Sequence, residues 1–189
     1  MNRPDPSVQR RARLKLLLVL AIFAAPAIIA GLLVASGWQP TAQGHGQPIA
    51  PERNFEQEQV PVQLANGQRW PWRDSEPRLT LVALPGPQCA ARCFQTLTGI
   101  AKARVMLNRN QSRLRLLYLG TPPAGGEGQA MQQYWQLGSD VDNRFAAWRP
   151  SAPDTVSALL VESNGTALAF YPASFDPSGL LLDLRKVIK

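Results

Sequence analysis

The longest pattern in the chain is an uninterrupted apolar one. Residues 16–35 read LLLVLAIFAAPAIIAGLLVA, twenty positions without a charge. At 1.5 Å per residue, a helix of that length spans about 30 Å, the thickness of a bilayer's hydrocarbon core. The pattern predicts one transmembrane helix over residues 16–36. Pro26 and Gly31 lie inside it, and membrane helices tolerate both. The pattern then breaks. Residues 37–59 are rich in Gly, Pro, Gln and Glu and show no apolar period, which predicts a linker. The remaining residues, 60–189, have the length and patterning of one domain.

Within that domain the periods alternate between two and about 3.6. Residues 60–64 alternate, and Asn66-Gly67 follows before a second short β-prone run, 69–72, a strong hairpin signal. Residues 78–84 (RLTLVAL) predict a strand, apolar enough at its end to be central. Pro85-Gly86-Pro87-Gln88 breaks it, and a helix is expected from Cys89 to about Leu107, with Cys93, Leu97, Ile100, Ala101, Arg104 and Val105 at helical spacing. A strand over 113–119 and a Gly/Pro-rich loop over 120–128 come next. Residues 129–137 are expected as a helix and 140–148 as a second short one. Strands over 157–162 and 166–171 flank Ser163-Asn164-Gly165. Asp176-Pro177 opens a last helix with Leu180, Leu181, Leu184, Val187 and Ile188 on one face. This order predicts an α/β three-layer sandwich with parallel central strands and an antiparallel edge.

Charge sharpens the membrane reading. The net charge of +7 and pI near 10.1 suggest a nucleic-acid ligand. Yet residues 1–15 hold five basic residues and one acidic, hence +4, while the rest holds fifteen and twelve, hence +3. The basicity is mostly a tail ahead of the apolar span. That placement predicts a cytoplasmic N-terminus over 1–15 and a domain on the far side of the membrane. For a bacterial cell this means the inner membrane and the periplasm, with no nucleic-acid partner. A cleaved signal peptide ending near Val34-Ala35-Ser36 and a twin-arginine signal over 7–15 are the alternatives, and both also export the domain.

The chemistry with a defined spacing is Cys89-Ala90-Ala91-Arg92-Cys93. Two cysteines do not make a disulfide-dense scaffold, and one histidine excludes a His-rich metal site. These two lie where a buried strand hands over to a helix. A thiol there faces the positive end of the helix dipole, which favours the thiolate. Residues four apart share a helix face. The pair is therefore able to form a disulfide, to hold a thiophilic ion such as Cu(I), or to pass electrons to another thiol pair. The closed loop is too short to stabilise the fold much by chain entropy, which weights the reading toward reactivity.

An apolar span, a linker, an Asn-Gly hairpin, a strand and Pro-x-x-Cys-x-x-x-Cys opening a helix together resemble the thioredoxin-like superfamily. The three-residue spacer is similar to that of the SCO family, copper chaperones and thiol reductases for cytochrome c oxidase. Thioredoxins and their cytochrome c maturation relatives have two residues between the cysteines. Strand–Asn-Gly–strand–helix over 157–188 also resembles the end of that fold, and Gly44-His45-Gly46-Gln47-Pro48-Ile49 is similar to the entry of short anchored proteins that accompany oxidase assembly factors. The resemblance runs over 44–189. It implies a membrane-anchored protein that assists oxidase assembly, with a cytochrome c oxidase subunit or assembly factor as partner. Cys89 would be the exposed nucleophile and Cys93 the resolving thiol, or both would be Cu(I) ligands. One departure matters. SCO proteins complete their copper site with a histidine just before the strand that starts here near Ser157, and this chain has Ala152-Pro153-Asp154-Thr155-Val156 there. That leaves two other readings open, a non-catalytic assembly scaffold with a structural disulfide and a general periplasmic thiol-disulfide reductase.

The other residues read as structural. His45 is expected as a solvated side chain in the linker. Trp70, Trp72, Trp135 and Trp148 are expected to pack, with a docking patch at Tyr134 and Trp135 as the alternative. Arg104, Arg109, Arg113 and Arg115 are expected on a solvated face, with steering of an acidic partner as the alternative.

Overall fold

The computed structural model describes residues 6–35, 44–123 and 125–188. The chain divides into two compact units, Met1–Ala42 and Gln43–Lys189. The first contains helix α1, Pro6–Ala35, with Pro26 inside it. The described large side chains of its apolar stretch, such as Leu16, Ile22, Phe23 and Leu32, are exposed. Among the described residues no helix is long and apolar enough to cross a membrane. The span expected over 16–36 lies partly outside them, since the side chains of Leu17, Leu33 and Val34 and the whole of Ser36 are not described. Residues 1–5 of the expected tail and residues 37–43 of the expected linker also lie outside, and the side chains of residues 6–12 and 14 are not described.

The second unit is built on one seven-stranded sheet. Its strands are β1 (Gln47–Pro48), β2 (Val62–Leu64), β3 (Leu79–Pro85), β4 (Leu114–Leu119), β5 (Gln136–Asp140), β6 (Val156–Val161) and β7 (Ala167–Tyr171), in the spatial order β1-β7-β6-β3-β4-β5-β2. β3, β4 and β5 run parallel, and β6 and β7 continue the sheet antiparallel. Helices α2 (Ala91–Val105) and α3 (Gly126–Met131) connect the parallel strands, and α4 (Pro177–Val187) closes the domain. The crossovers β3–α2–β4 and β4–α3–β5 step the same way along the sheet. A shared right-handed sense places both helices on one face.

The central strands are apolar on both sides, and the alternation sorts them. Leu81, Ala83, Leu114, Leu116, Tyr118, Val156, Ala158 and Leu160 point into a core with α2, α3 and α4. Val82, Leu84, Leu117, Leu119, Leu159 and Val161 point into a second core. That second layer is where the expected three-layer sandwich needs correction. It is a cover of aromatic side chains from loops and not a helical layer: Phe55, Trp70, Trp72 and Phe145, with Trp148 packed against them. Aromatic rings bury enough area each to do this without helical backbone.

Three further expectations change. Residues 44–59 are part of the domain and not linker: β1 pairs with β7, Asn54 bridges Thr166, and Phe55 is fully buried. Their polar composition hides one buried ring and a short edge strand. The helix expected over 129–137 ends at Met131, and Gln136–Asp140 pairs with both β4 and β2. The short helix expected over 140–148 is limited to a 3-10 turn, Ala146–Trp148. At Gln136–Gly138 pairing to β4 overrides a weak helical period. The Asn66-Gly67 turn forms with Gly67 at φ 79°, but β2 finds its main partner in β5.

Candidate functional site

β3 ends at Pro85, and Gly86-Pro87-Gln88 carries the chain to Cys89, two residues ahead of α2. Cys93 sits in the first turn of α2. The two are joined as a disulfide, with Cα atoms 5.2 Å apart. Cys93 is fully buried against the helix-side core, and Cys89 is half-buried at its edge. The structure thus brings together the two cysteines picked out by spacing and makes the first the more accessible.

The start of α2 has a capping group that comes from far along the chain. β6 is antiparallel to β3 with Pro85 opposite Val156, so the residues just before β6 arrive beside the cysteine loop. Asp154 stands there. Its Oδ1 accepts the amides of Ala90 (2.9 Å) and Cys93 (2.9 Å), and its Oδ2 accepts that of Arg92 (3.1 Å). Three of the donors that a helix start leaves without intrahelical partners are met by one carboxylate. The Cys93 amide first, and those of Arg92 and Ala90 with it, hold the Asp154 carboxyl below the usual carboxylate range, against the opposing effect of burial. The Asp154 amide in turn donates to the carbonyls of Pro87 and Gln88, and the Gly86 amide donates to the Thr155 carbonyl at 2.9 Å. The cysteine loop and the pre-β6 loop are therefore stitched in both directions. Gly86 is required by this approach, since a Cβ there would run into the Ala152 and Pro150 carbonyls.

A cleft of about 780 Å³ opens beside Cys89, at the C-terminal ends of β3 and β4. Its walls include Pro85, Gln88, Tyr118, Pro122, Asn143 and Arg149. Tyr118 donates to the Thr121 carbonyl at 3.0 Å, and burial pushes its hydroxyl up to about 12. Arg149 Nη1 donates to the carbonyls of Pro85 (3.1 Å) and Leu119 (3.0 Å), the last residues of the two strands. Ligands in open α/β sheets bind at such strand ends.

The model of a family described as "Transmembrane-like, thioredoxin-like, C-terminal domain" matches residues 79–189, a stretch that contains both cysteines, Asp154 and Arg149. The chain belongs to that family. No curated protein matches this transmembrane-like, thioredoxin-like chain by sequence. Among solved structures it is similar to apo Sco1 from Thermus thermophilus, with TM-score 0.50 and 14% identity over 79% of this chain and 99% of that one. It is also similar to peroxiredoxin Q from Xanthomonas campestris, with TM-score 0.50 and 14% identity over 76% and 100%. ScoI from Bradyrhizobium japonicum, solved with copper bound, has TM-score 0.47 and 11% identity over 75% and 98%. The first two likenesses show the thioredoxin-like fold, as the Cys-x-x-x-Cys resemblance led us to expect.

A copper site of the SCO type is not matched by the residues present. The stretch 152–156 before β6 holds no histidine, and both oxygens of its one carboxylate, Asp154, accept helix amides. Among the described residues no group of three His, Cys, Asp or Glu side chains is placed to hold a metal ion.

The remaining candidates of the family member resolve into structure. His45 is exposed, as expected, but it is anchored to the domain and does not sit in a linker. Its amide donates to Asp183 at 2.7 Å, its Nδ1 lies 3.3 Å from the same carboxylate, and Gly46 and Tyr171 donate to it as well. Arg115 is not on a solvated face: it pairs with Asp74 at 3.1 Å, donates to Thr80, and lies 4.5 Å over the Trp70 ring. Arg104 donates to the Leu114 carbonyl at 2.8 Å, tying the end of α2 to β4. Trp70, Trp72 and Trp135 are buried and Tyr134 is exposed.

Two site residues escaped the sequence reading. Arg149 carried no local signal. Asp154 sat in the stretch where a histidine was sought, but its capping role depends on β3–β6 register, which no local window contains.

Proposed function

We propose that this protein is a membrane-anchored, exported thioredoxin-like protein that assists cytochrome c oxidase assembly by thiol–disulfide exchange at Cys89 and Cys93. The observation that carries this reading is the asymmetry of the pair: Cys89 is half-buried at the mouth of a cleft, and Cys93 is fully buried behind it in the first turn of α2. That is the arrangement exchange requires, one sulfur open to attack and one held to close the mixed disulfide. The twenty uncharged residues of 16–35, preceded by a basic tail, support the anchor and a periplasmic domain, a compartment that permits disulfides. The assembly role rests on the Cys-x-x-x-Cys spacing and on the fold likeness to Sco1. The donor set argues for sulfur exchange over a Cys2His copper site.

The test is a Cys89→Ser, Cys93→Ser double variant in the native bacterial host. Loss of oxidase activity on low-copper growth is the expected result, and unchanged activity and copper content across that range would remove the assembly role. A single Cys93→Ser variant is expected to accumulate a mixed disulfide through Cys89, and the trapped partner identifies the client. A domain that exchanges with no thiol, yet still co-purifies with oxidase subunits, would instead be a scaffold.

A further inference from the structure

The cleft beside Cys89 carries a fixed positive charge. Arg149 Nη1 is held by the terminal carbonyls of β3 and β4, at 3.1 and 3.0 Å, both neutral acceptors. Neither Asp nor Glu is among the described residues that line this cleft. Five of its lining residues are prolines, at 85, 87, 122, 123 and 150, so its walls keep their shape with little conformational freedom to lose on binding. The nearest carboxylate to the cysteine loop, Asp154, is not in the lining, and its two oxygens accept the amides of Ala90, Arg92 and Cys93. The other charged group of the loop, Arg92, is exposed and of the same sign as Arg149. A guanidinium with neutral partners, in a cleft without acidic walls, is a carboxylate receptor.

We propose that the cleft selects anionic thiols: the substrate that exchanges with Cys89 carries a carboxylate that pairs with Arg149. The proposal rests on the exchange reading above and names its substrate class. The substrate thiolate attacks Cys89 Sγ and forms a substrate–Cys89 disulfide. The Cys89–Cys93 bond breaks, and its electron pair leaves on Cys93 Sγ, which takes a proton from water. A second substrate thiolate attacks the substrate sulfur of the mixed disulfide and releases Cys89 as thiolate. Two substrate thiols are oxidised to their disulfide, and the protein disulfide is reduced to the dithiol.

The test follows reduction of the full-length protein's disulfide by alkylation and mass shift, with three small thiols. These are 3-mercaptopropionate (anionic), 2-mercaptoethanol (neutral) and cysteamine (cationic), with rates expressed per thiolate and corrected for thiol pKa. The expected result is a rate for the anionic thiol about tenfold above that for the cationic one at low salt, contracting at high salt. In Arg149→Gln the anionic-to-neutral ratio falls to about one, and in Arg149→Lys, which keeps the charge but not the fork, part of the ratio remains. Equal corrected rates for the three thiols, or a preference that persists in Arg149→Gln, overturn the proposal. If Arg149→Gln does not fold, loss of the salt-dependent preference in Arg149→Lys would overturn it. If no thiol, the neutral one included, reduces the disulfide, it is the exchange reading itself that fails.

Discussion

The Asp154 carboxylate accepts the Cys93 amide at 2.9 Å across 61 positions of sequence. This contact makes the geometry of the disulfide a property of the whole sheet, because Asp154 reaches α2 only when β6 lies against β3 in its observed register. In Asp154→Ala the three amides of Ala90, Arg92 and Cys93 lose their common acceptor. The start of α2 then frays, and the melting temperature falls by roughly 2–4 °C, the scale of a lost cap in a domain this size. Differential scanning calorimetry of the oxidised protein checks this. Asp154→Asn, which keeps one acceptor oxygen, should fall between the two, and an Asp154→Ala midpoint equal to wild type would sink the capping role.

Gly86 is a second point of contact between the same loops. A Cβ at this position meets two backbone carbonyls, those of Ala152 and Pro150. Neither can swing aside as a flexible side chain can, so the pre-β6 loop must move. Gly86→Ala is expected to cost about 1–3 kcal/mol, the range for an atom forced into a packed site. Urea midpoints measure the loss. Because the Gly86 amide donates to the Thr155 carbonyl, the displacement should also speed hydrogen exchange at that amide.

How much of this was legible in the sequence divides by range. β3, β4, β6, β7, α2 and α4 all appear where local period and turn residues placed them, because each is decided by its own apolar face or cap. Asp176 is the simplest case, accepting the Ser178 amide two residues on. The pair Cys89 and Cys93 was legible for the same reason, being four residues apart. Asp154 and Arg149 were not, since their partners lie 61–64 and 30–64 residues away. Gln136–Asp140 does not read as a strand, falling at the end of one expected helix and the start of another, because its strand character comes from β4 and β2 and not from its own polar sequence. Residues 44–59 read as linker because a single buried ring gives no period.

Asp183 ties the start of the domain to its last helix and gives a pH test. Burial works to raise its carboxyl. The His45 ring and amide, the Gly46 amide and the Tyr171 hydroxyl outweigh that, and its folded value lies below the usual carboxylate range. A depressed folded value contributes stability that is fully present above the unfolded pKa and is lost as pH falls through the folded one. Asp183→Asn should therefore be less stable than wild type by about 2 kcal/mol at pH 7. The gap should narrow below about pH 4, where the wild-type carboxyl also protonates. Denaturant midpoints at both pH values decide it, and a gap of constant size would show that charge plays no part.

The domain boundary gives the last test. Phe55 is fully buried, with ring centroids 5.0 Å from Trp72, 5.1 Å from Phe145 and 5.8 Å from Trp148. It therefore holds together the aromatic layer that stands in for helices on the second face of the sheet. Removing it leaves a hole that three rigid rings cannot close, so Phe55→Ala is expected to cost about 3–5 kcal/mol. A chain beginning at residue 60 loses more: Phe55, the β1 pairing to β7, and the His45 and Gly46 amides that satisfy Asp183. Such losses rival the whole stability of a typical domain, about 5–15 kcal/mol. A chain over 44–189 should therefore unfold cooperatively in urea, and one over 60–189 should show no cooperative transition. Equal midpoints for the two would return residues 44–59 to the status of a linker.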